Sequence, residues 1–235
     1  MVLLSESWYS ARHFVSTARK TPSKGPRKRL ADARRQIYRE AIVDAAEGIF
    51  AEHGYDAAKV TAIAKAAGVS LATLYGVFPA KWDIFRAVQA DRLAALMQEV
   101  GPRVLAASTP LARFAEGLEA YLRFHMEHPQ FLCVQLREQV PWGLTDELRT
   151  PEQTRAWEAG LKMLIAAFAE GVTQGVFVDV DPELAARTAT AMSQVQLALW
   201  VDRGMEASPD EVASEAMAQF RRSFVRAAAA EKLSA

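Results

Sequence analysis

Between Val60 and Tyr75 the chain places Ile63, Ala64 and Ala67 on one face of a first short helix and Leu74, with Phe78 beyond it, on one face of a second. Gly68 falls between them. A glycine there can take the positive φ that ends a helix. Val69 then plugs the gap, and the Ser70 hydroxyl caps the orphan N–H groups of the next helix. Two helices joined by so tight a turn form a helix-turn-helix, whose second member is suited to a DNA major groove.

The flanks agree. Ile42, Ala46, Ile49 and Phe50 make a helical stripe running into His53-Gly54-Tyr55, while Phe78-Pro79-Ala80-Lys81 stops the second short helix and starts another through Trp82, Ile84 and Phe85. Taken together, Phe50-Ala51-Glu52-His53-Gly54-Tyr55, Ile63 through Ser70, and Thr73-Leu74-Tyr75 followed by Phe78-Pro79-Ala80-Lys81 resemble the TetR family of transcriptional regulators. Order and spacing match over about fifty residues, which is far more specific than a lone glycine motif. The resemblance implies an all-α protein: an N-terminal three-helix helix-turn-helix DNA-binding domain joined to a larger C-terminal helical ligand-binding and dimerisation domain. The expected division is a flexible basic extension over 1–33, the DNA-binding domain over 34–80 and the effector-binding and dimerisation domain over 81–235.

By the same resemblance Leu71, Ala72, Thr73, Tyr75, Gly76 and Val77 occupy the recognition helix, and Lys81 opens the following helix where a phosphate sits. Thr61 lies within reach of the same backbone. Lys59 stands where many relatives carry a Ser or Thr cap, and offers an ammonium to phosphate instead. With Ser70, the candidate DNA-contacting set is Lys59, Thr61, Ser70, Leu71, Ala72, Thr73, Tyr75, Gly76 and Lys81. The recognition helix is poor in hydrogen-bonding groups, so Thr73 and Tyr75 are expected to carry most polar readout, with apolar contact to thymine methyl groups beside them.

Formal net charge is zero, but residues 1–39 hold ten Lys or Arg against Glu6 and Asp32. A basic excess at one end of a neutral chain points to a polyanion. Thr21 through Pro26 disfavours regular structure, so the segment reads as a disordered basic arm rather than a transit peptide. Arg27, Lys28, Arg29, Arg34 and Arg35 are candidates for an adjacent minor groove. Cys133 is the single cysteine, which excludes an intrachain disulfide and reads as a small core residue. Val2-Leu3-Leu4 is interrupted by Glu6, so no secretory signal is expected. The uncharged run Thr188 to Val201 falls short of the ~18 residues a membrane span needs. A cytoplasmic protein without membrane contact is the expectation.

Helical periodicity continues to the end: from about Ala33 to His53, Lys81 to about Val100 with a break at Gly101-Pro102, Leu111 to His128, onward to Gln139, then a long helix through Trp157 and Phe168 closing near Gly171 to Gly175. Val140-Pro141-Trp142-Gly143-Leu144 reads as a loop and Val176-Phe177-Val178 as a connector. Asp181-Pro182-Glu183 and Ser208-Pro209-Asp210-Glu211 are start signals for two last helices, to about Arg203 and about Ala230. The resemblance implies that these two pair a homodimer, through Leu184, Thr188, Ala191, Val195, Leu199 and Trp200 and through Val212, Met217, Phe220 and Phe224. A dimer implies a near-palindromic double-stranded DNA operator.

The resemblance also implies an effector pocket in the middle helices, for which the candidates are Phe114, Tyr121, His125, Phe131, Trp142, Trp157 and Phe168. Such aromatic groups, with Met97 nearby and Gln135 as a polar partner, suit a hydrophobic or aromatic small molecule that releases a repressor from DNA. No cofactor is expected. His125 and His128 do not complete a zinc motif, and no P-loop, Rossmann or G-x-S-x-G pattern occurs, which sets an enzyme well behind. The other rival is a helical regulator that docks protein on its apolar recognition helix.

Overall fold

The computed structural model describes residues 25–138 and 150–227. Nine α-helices lie among them: α1 (Pro26–Ala57), α2 (Val60–Ala66), α3 (Leu71–Val77), α4 (Lys81–Ala106), α5 (Pro110–Glu127), α6 (Pro129–Arg137), α7 (Pro151–Thr173), α8 (Pro182–Asp202) and α9 (Pro209–Phe224). Start signals are strong in the second half, where α5 and α7–α9 each have proline in the first turn behind a Thr, Asp or Ser whose side chain accepts the N3 amide. The expected loop at Val140–Leu144, with Trp142, lies outside the described residues.

Three boundaries differ from the sequence reading, each for a physical reason. Helix α1 begins at Pro26, not near Ala33, because Pro26 preorganises its first turn and no glycine or proline follows until Gly48. Its regular part still ends beside His53, where Gly54 adopts φ +73°. Helix α4 does not break at Gly101-Pro102. Pro102 sacrifices one helical bond, but Arg103 donates to Glu116 and Glu119 of α5 at 2.9 and 3.1 Å and holds the last turn down. Helix α9 stops at Phe224 rather than Ala230, because Val225 turns into an isolated antiparallel bridge with Phe177 of the connector. That bridge carries Val178 N–H to Phe224 O at 2.8 Å and Arg226 N–H to Val176 O at 3.1 Å.

Two main cores result. The first joins Ile42, Ala46 and Phe50 of α1, Ile63 of α2, Leu74 of α3, and Ile84, Phe85 and Val88 from the first turns of α4, with Val134 of α6. The domain boundary read at residue 80 therefore cuts through this core. The second joins α5, α7, α8 and α9 around Phe114, Phe168, Phe177, Phe220 and Phe224. Helix α4 runs through both halves, since its Leu93 and Leu96 pack farther along with Phe124 and Phe131.

Candidate nucleic-acid interface and effector cavity

The turn between α2 and α3 forms as its residue types dictate. Gly68 takes φ +65°, the Val69 N–H donates to Ala64 O at 3.0 Å, and Val69 packs against the reader core. The Ser70 hydroxyl accepts the Thr73 N–H at 3.0 Å and shares a 2.8 Å hydrogen bond with the Thr73 hydroxyl. Leu74 and Phe78 are buried, whereas Tyr75 is 47 % and Leu71 41 % exposed. Tyr75 is thus a surface ring. Lys59, Thr61, Ser70, Ala72 and Gly76 are exposed on the same unit, and Thr73 is half-buried. Because the Thr73 hydroxyl is engaged by the cap, Tyr75 is the least encumbered polar group on the recognition helix.

Lys81 corrects the sequence reading. Its ammonium donates to Tyr55 O at 2.7 Å, Asp56 O at 3.1 Å and Ala58 O at 3.1 Å, and stands 4.5 Å from the centre of the Tyr55 ring. All three hydrogens of the Nζ are directed at carbonyls. What Lys81 leaves for a phosphate is its backbone N–H at the start of α4. The side chain is a clamp closing the end of α1 against α4, a role that no local motif announces.

Above the reader, Leu93, Leu96, Met97 and Val100 of α4, Tyr121 of α5, Gln153, Ala156, Trp157, Gly160, Leu161 and Leu164 of α7 and Thr190 of α8 line an apolar, partly open cavity of about 120 Å³. A second chamber of about 80 Å³, bounded by Phe114, Gly117 and Ser193 among others, shares Tyr121, Leu164 and Thr190 with the first. Of the expected pocket residues, Tyr121, Trp157 and Phe114 line these spaces. Phe131 and Phe168 do not: both are fully buried, Phe131 behind Leu93 and Leu96 and Phe168 among Phe114, Phe177 and Phe224. Periodicity marks which face turns inward, not which inward residues meet a void.

His125 is core as well, tilted against Tyr121 at 4.4 Å and stacked on Phe131 at 6.0 Å. Its Nδ1 lies 2.9 Å from Tyr121 O. A carbonyl only accepts, so Nδ1 carries the hydrogen and Nε2 is left as a buried acceptor without a donor among the described residues. Burial lowers the imidazole pKa to about 4, against which the Tyr121 carbonyl works in the opposite direction. The ring is neutral at pH 7. Burial also pushes the Tyr121 phenol up, so it stays protonated.

The polar feature that sequence reading reached only in part is a row of buried amides. Gln153, in the cavity wall, donates from Nε2 to Gln135 Oε1 at 3.5 Å, and Gln135 of α6 donates to Gln89 Oε1 of α4 at 2.9 Å. Gln153 is itself held as the N3 residue of α7, accepting the Thr150 N–H at 2.9 Å. Helix α6 continues into the reader, where Val134 joins the first core and Arg137 donates to Ala51 O at 2.7 Å. The cavity wall and the reader are therefore joined twice, along α4 and through α6.

No group of three or more His, Cys, Asp or Glu suited to a metal ion occurs among the described residues, and no single described helix is long and apolar enough to cross a membrane.

Comparison with known proteins gives the same division. Residues 42–88 match the profile of bacterial regulatory proteins of the tetR family, and residues 107–224 match the tetracyclin repressor-like C-terminal domain. No curated protein sequence matches the chain. Among solved structures, the ketosteroid transcriptional regulator KstR2 of Mycobacterium tuberculosis is similar at 22 % identity and TM-score 0.69, covering 80 % of this chain and 95 % of its own. The FadR regulator from Bacillus subtilis in complex with stearoyl-CoA shares 19 % identity at TM-score 0.62, over 77 % and 96 % of the two chains. AibR in complex with isovaleryl coenzyme A and operator DNA shares 18 % at TM-score 0.65, over 77 % and 97 %. At these identities the likeness is one of fold. The two profile matches, one on each side of the α4 link, go further: this chain belongs to the TetR family and is a DNA-binding transcription regulator, not an enzyme.

Proposed function

We propose that this regulator is a repressor that binds a near-palindromic operator as a two-fold dimer and leaves it when a small apolar or aromatic molecule enters the cavity between α4, α5, α7 and α8. The observation carrying this reading is the apolar cavity itself, which has the half-buried Tyr121 ring at its wall and lies on the helix that also builds the reader core. Its volume of about 120 Å³ is well below the ~300–1,000 Å³ of sites for drug-sized ligands. Such a ligand must part the walls and join the second chamber past Tyr121. A ligand that moves α4 and the Gln153–Gln135–Gln89 row discriminates between two states of the protein, and a hundredfold loss of operator affinity needs about 2.7 kcal/mol of that discrimination. Stearoyl-CoA and isovaleryl coenzyme A, bound by two proteins of this fold, place acyl groups first among the ligands to try.

Tyr75, Leu71, Ala72 and Gly76 face DNA in this reading, with Lys59, Thr61, Ser70 and the Lys81 amide on phosphates. The dimer face is the outer stripe of α8: Leu184, Val195 and Leu199 are exposed, with Thr188 and Ala191 between them. Trp200, Val212, Phe220 and Phe224 of the expected interface are buried within the single chain, so they support the stripe from behind rather than meet a partner.

The test is selection of bound sequences from a random duplex library, followed by salt titration and ligand challenge on the best site. A palindromic motif bound at nanomolar affinity and released by an apolar ligand supports the reading. Retention without a motif would instead favour a protein-docking role for the apolar recognition helix.

A further inference from the structure

The first three turns of α1 stand clear of both cores. Residues 26–37 are exposed throughout, and the helix first buries a side chain completely at Ile42. Between Pro26 and Glu40 it carries Arg27, Lys28, Arg29, Arg34, Arg35 and Arg39 against Asp32 and Glu40. Arg39 is bound to Asp91 of α4 by two hydrogen bonds of 2.8 Å. The other cations still outnumber the two carboxylates of the stretch, and Glu40 is itself engaged by the Gln36 amide at 2.8 Å. Arg34 turns to the Tyr38 hydroxyl at 2.8 and 2.9 Å. Arg35 reaches the Val77 carbonyl at the end of the recognition helix at 3.4 Å.

That last hydrogen bond fixes which way the charges face. At 3.6 residues per turn, Lys28 and Arg35 share one row, with Arg27 and Arg34 about 100° to one side of it and Arg29 about 120° to the other, while Leu30 and Ile37 lie roughly opposite Arg35. The Lys28–Arg35 row is thus the one turned toward the end of the reading helix, and the remaining cations spread to either side of it. From Arg27 to Arg35 the helix rises about 12 Å, the length of about three to four base pairs. As a helix about 10 Å across, the segment does not itself enter a minor groove about 6 Å wide, so any contact inside the groove falls to its side chains alone.

Resting on the DNA-binding reading above, we infer that the projecting end of α1 is a second DNA-binding element, a rigid basic strut lying across the phosphates that flank each operator half-site. It supplies sequence-independent affinity to a recognition helix that is itself poor in polar groups, and it lengthens the operator without adding readout.

The experiment compares the full chain with a variant in which Arg27, Lys28, Arg29, Arg34 and Arg35 are all replaced by Gln, a good helix former that keeps the strut helical. Circular dichroism and thermal melting confirm that both are folded. On the selected operator embedded in longer duplex, the slope of log affinity against log salt is expected to fall by about one for each phosphate that the variant no longer neutralises. The footprint should shorten by about three to four base pairs at each outer end, with the preferred motif unchanged. Equal slopes and equal footprints for the two chains overturn the inference while leaving the DNA reader intact. A lower slope with an unchanged footprint also overturns it, because the charges then lie over the operator itself. A wild-type chain that binds no operator overturns both readings.

Discussion

The two halves of the molecule are packed on opposite plans. In the reader, Phe50, Tyr55, Trp82 and Phe85 interlock with ring centres 5.1–5.9 Å apart, Lys81 satisfies three carbonyls at the end of α1, and Arg92 closes over the buried Glu47 at 2.6 Å. In the sensor, two chambers indent the core, and buried polar atoms at Gln89 and His125 lack partners among the described residues. A close-packed body moves as a unit, whereas one with voids and unsatisfied groups has alternative arrangements near in energy. The reader is built to be carried, and the sensor to be rearranged.

The largest expected effect tests the first half of that contrast. Phe85→Ala removes the ring common to three aromatic pairs in a fully buried site, and should cost about 3–5 kcal/mol in urea unfolding, abolishing operator binding at 37 °C. A cost near 1 kcal/mol would mean that the reader relaxes as readily as the sensor. Next comes pH. The unfolded chain protonates His125 near 6.5, but the folded chain does so only near 4, so stability is complete above about 6.5 and falls as pH drops through that window. At about 1.4 kcal/mol per unit the loss is on the order of 3 kcal/mol, and His125→Phe should flatten it in unfolding series at pH 7.5, 5.5 and 4.5. Glu152, held down to about 2 by Arg86 against an ordinary 4.5, loses its contribution only below that range. The two groups therefore separate on the pH axis.

What could be read from sequence divides along the same line. The turn at Gly68, the Ser70 cap, the Pro-led starts of α8 and α9 and the buried Leu74 and Phe78 all follow from interactions within four residues, so the local pattern specifies them. The Lys81 clamp joins residues 23 to 26 apart, and Gln89 meets Gln135 across 46. No periodicity reports such pairings. The cavity was legible only as a region, because Phe131 and Phe168 carry the same inward signal as Tyr121 and Trp157 yet pack against rings instead of lining a void.

The amide row provides one of the two links between the halves, the other being α4 itself, and Gln135→Leu breaks it at the centre. Leaving Gln89 Oε1 and Gln153 Nε2 without their partner should cost about 1–3 kcal/mol. Operator affinity should persist, because Val134 still seats α6 in the reader, while the ligand concentration needed for release rises. Unchanged release at equal ligand affinity would assign the whole signal to α4.

Two glycines of α7 give the smallest and sharpest contrast. A Cβ on Gly171 would lie 2.2 Å from the Phe177 ring, and that ring is wedged between Phe168 and Phe220 at 5.2 and 5.7 Å, so it has no room to withdraw. Gly171→Ala should therefore destabilise by about 1–3 kcal/mol. Gly160 sits in the same helix but lines the cavity, and its added Cβ meets nothing within 4 Å. There the helix preference for alanine acts unopposed, and Gly160→Ala should stabilise by about 1 kcal/mol. Thermal melts of the two variants thus read packing on either side of the sensor. A destabilised Gly160→Ala would show that the cavity wall is as tightly filled as the Phe177 site, and that the contrast between carried reader and adaptable sensor does not extend to this wall.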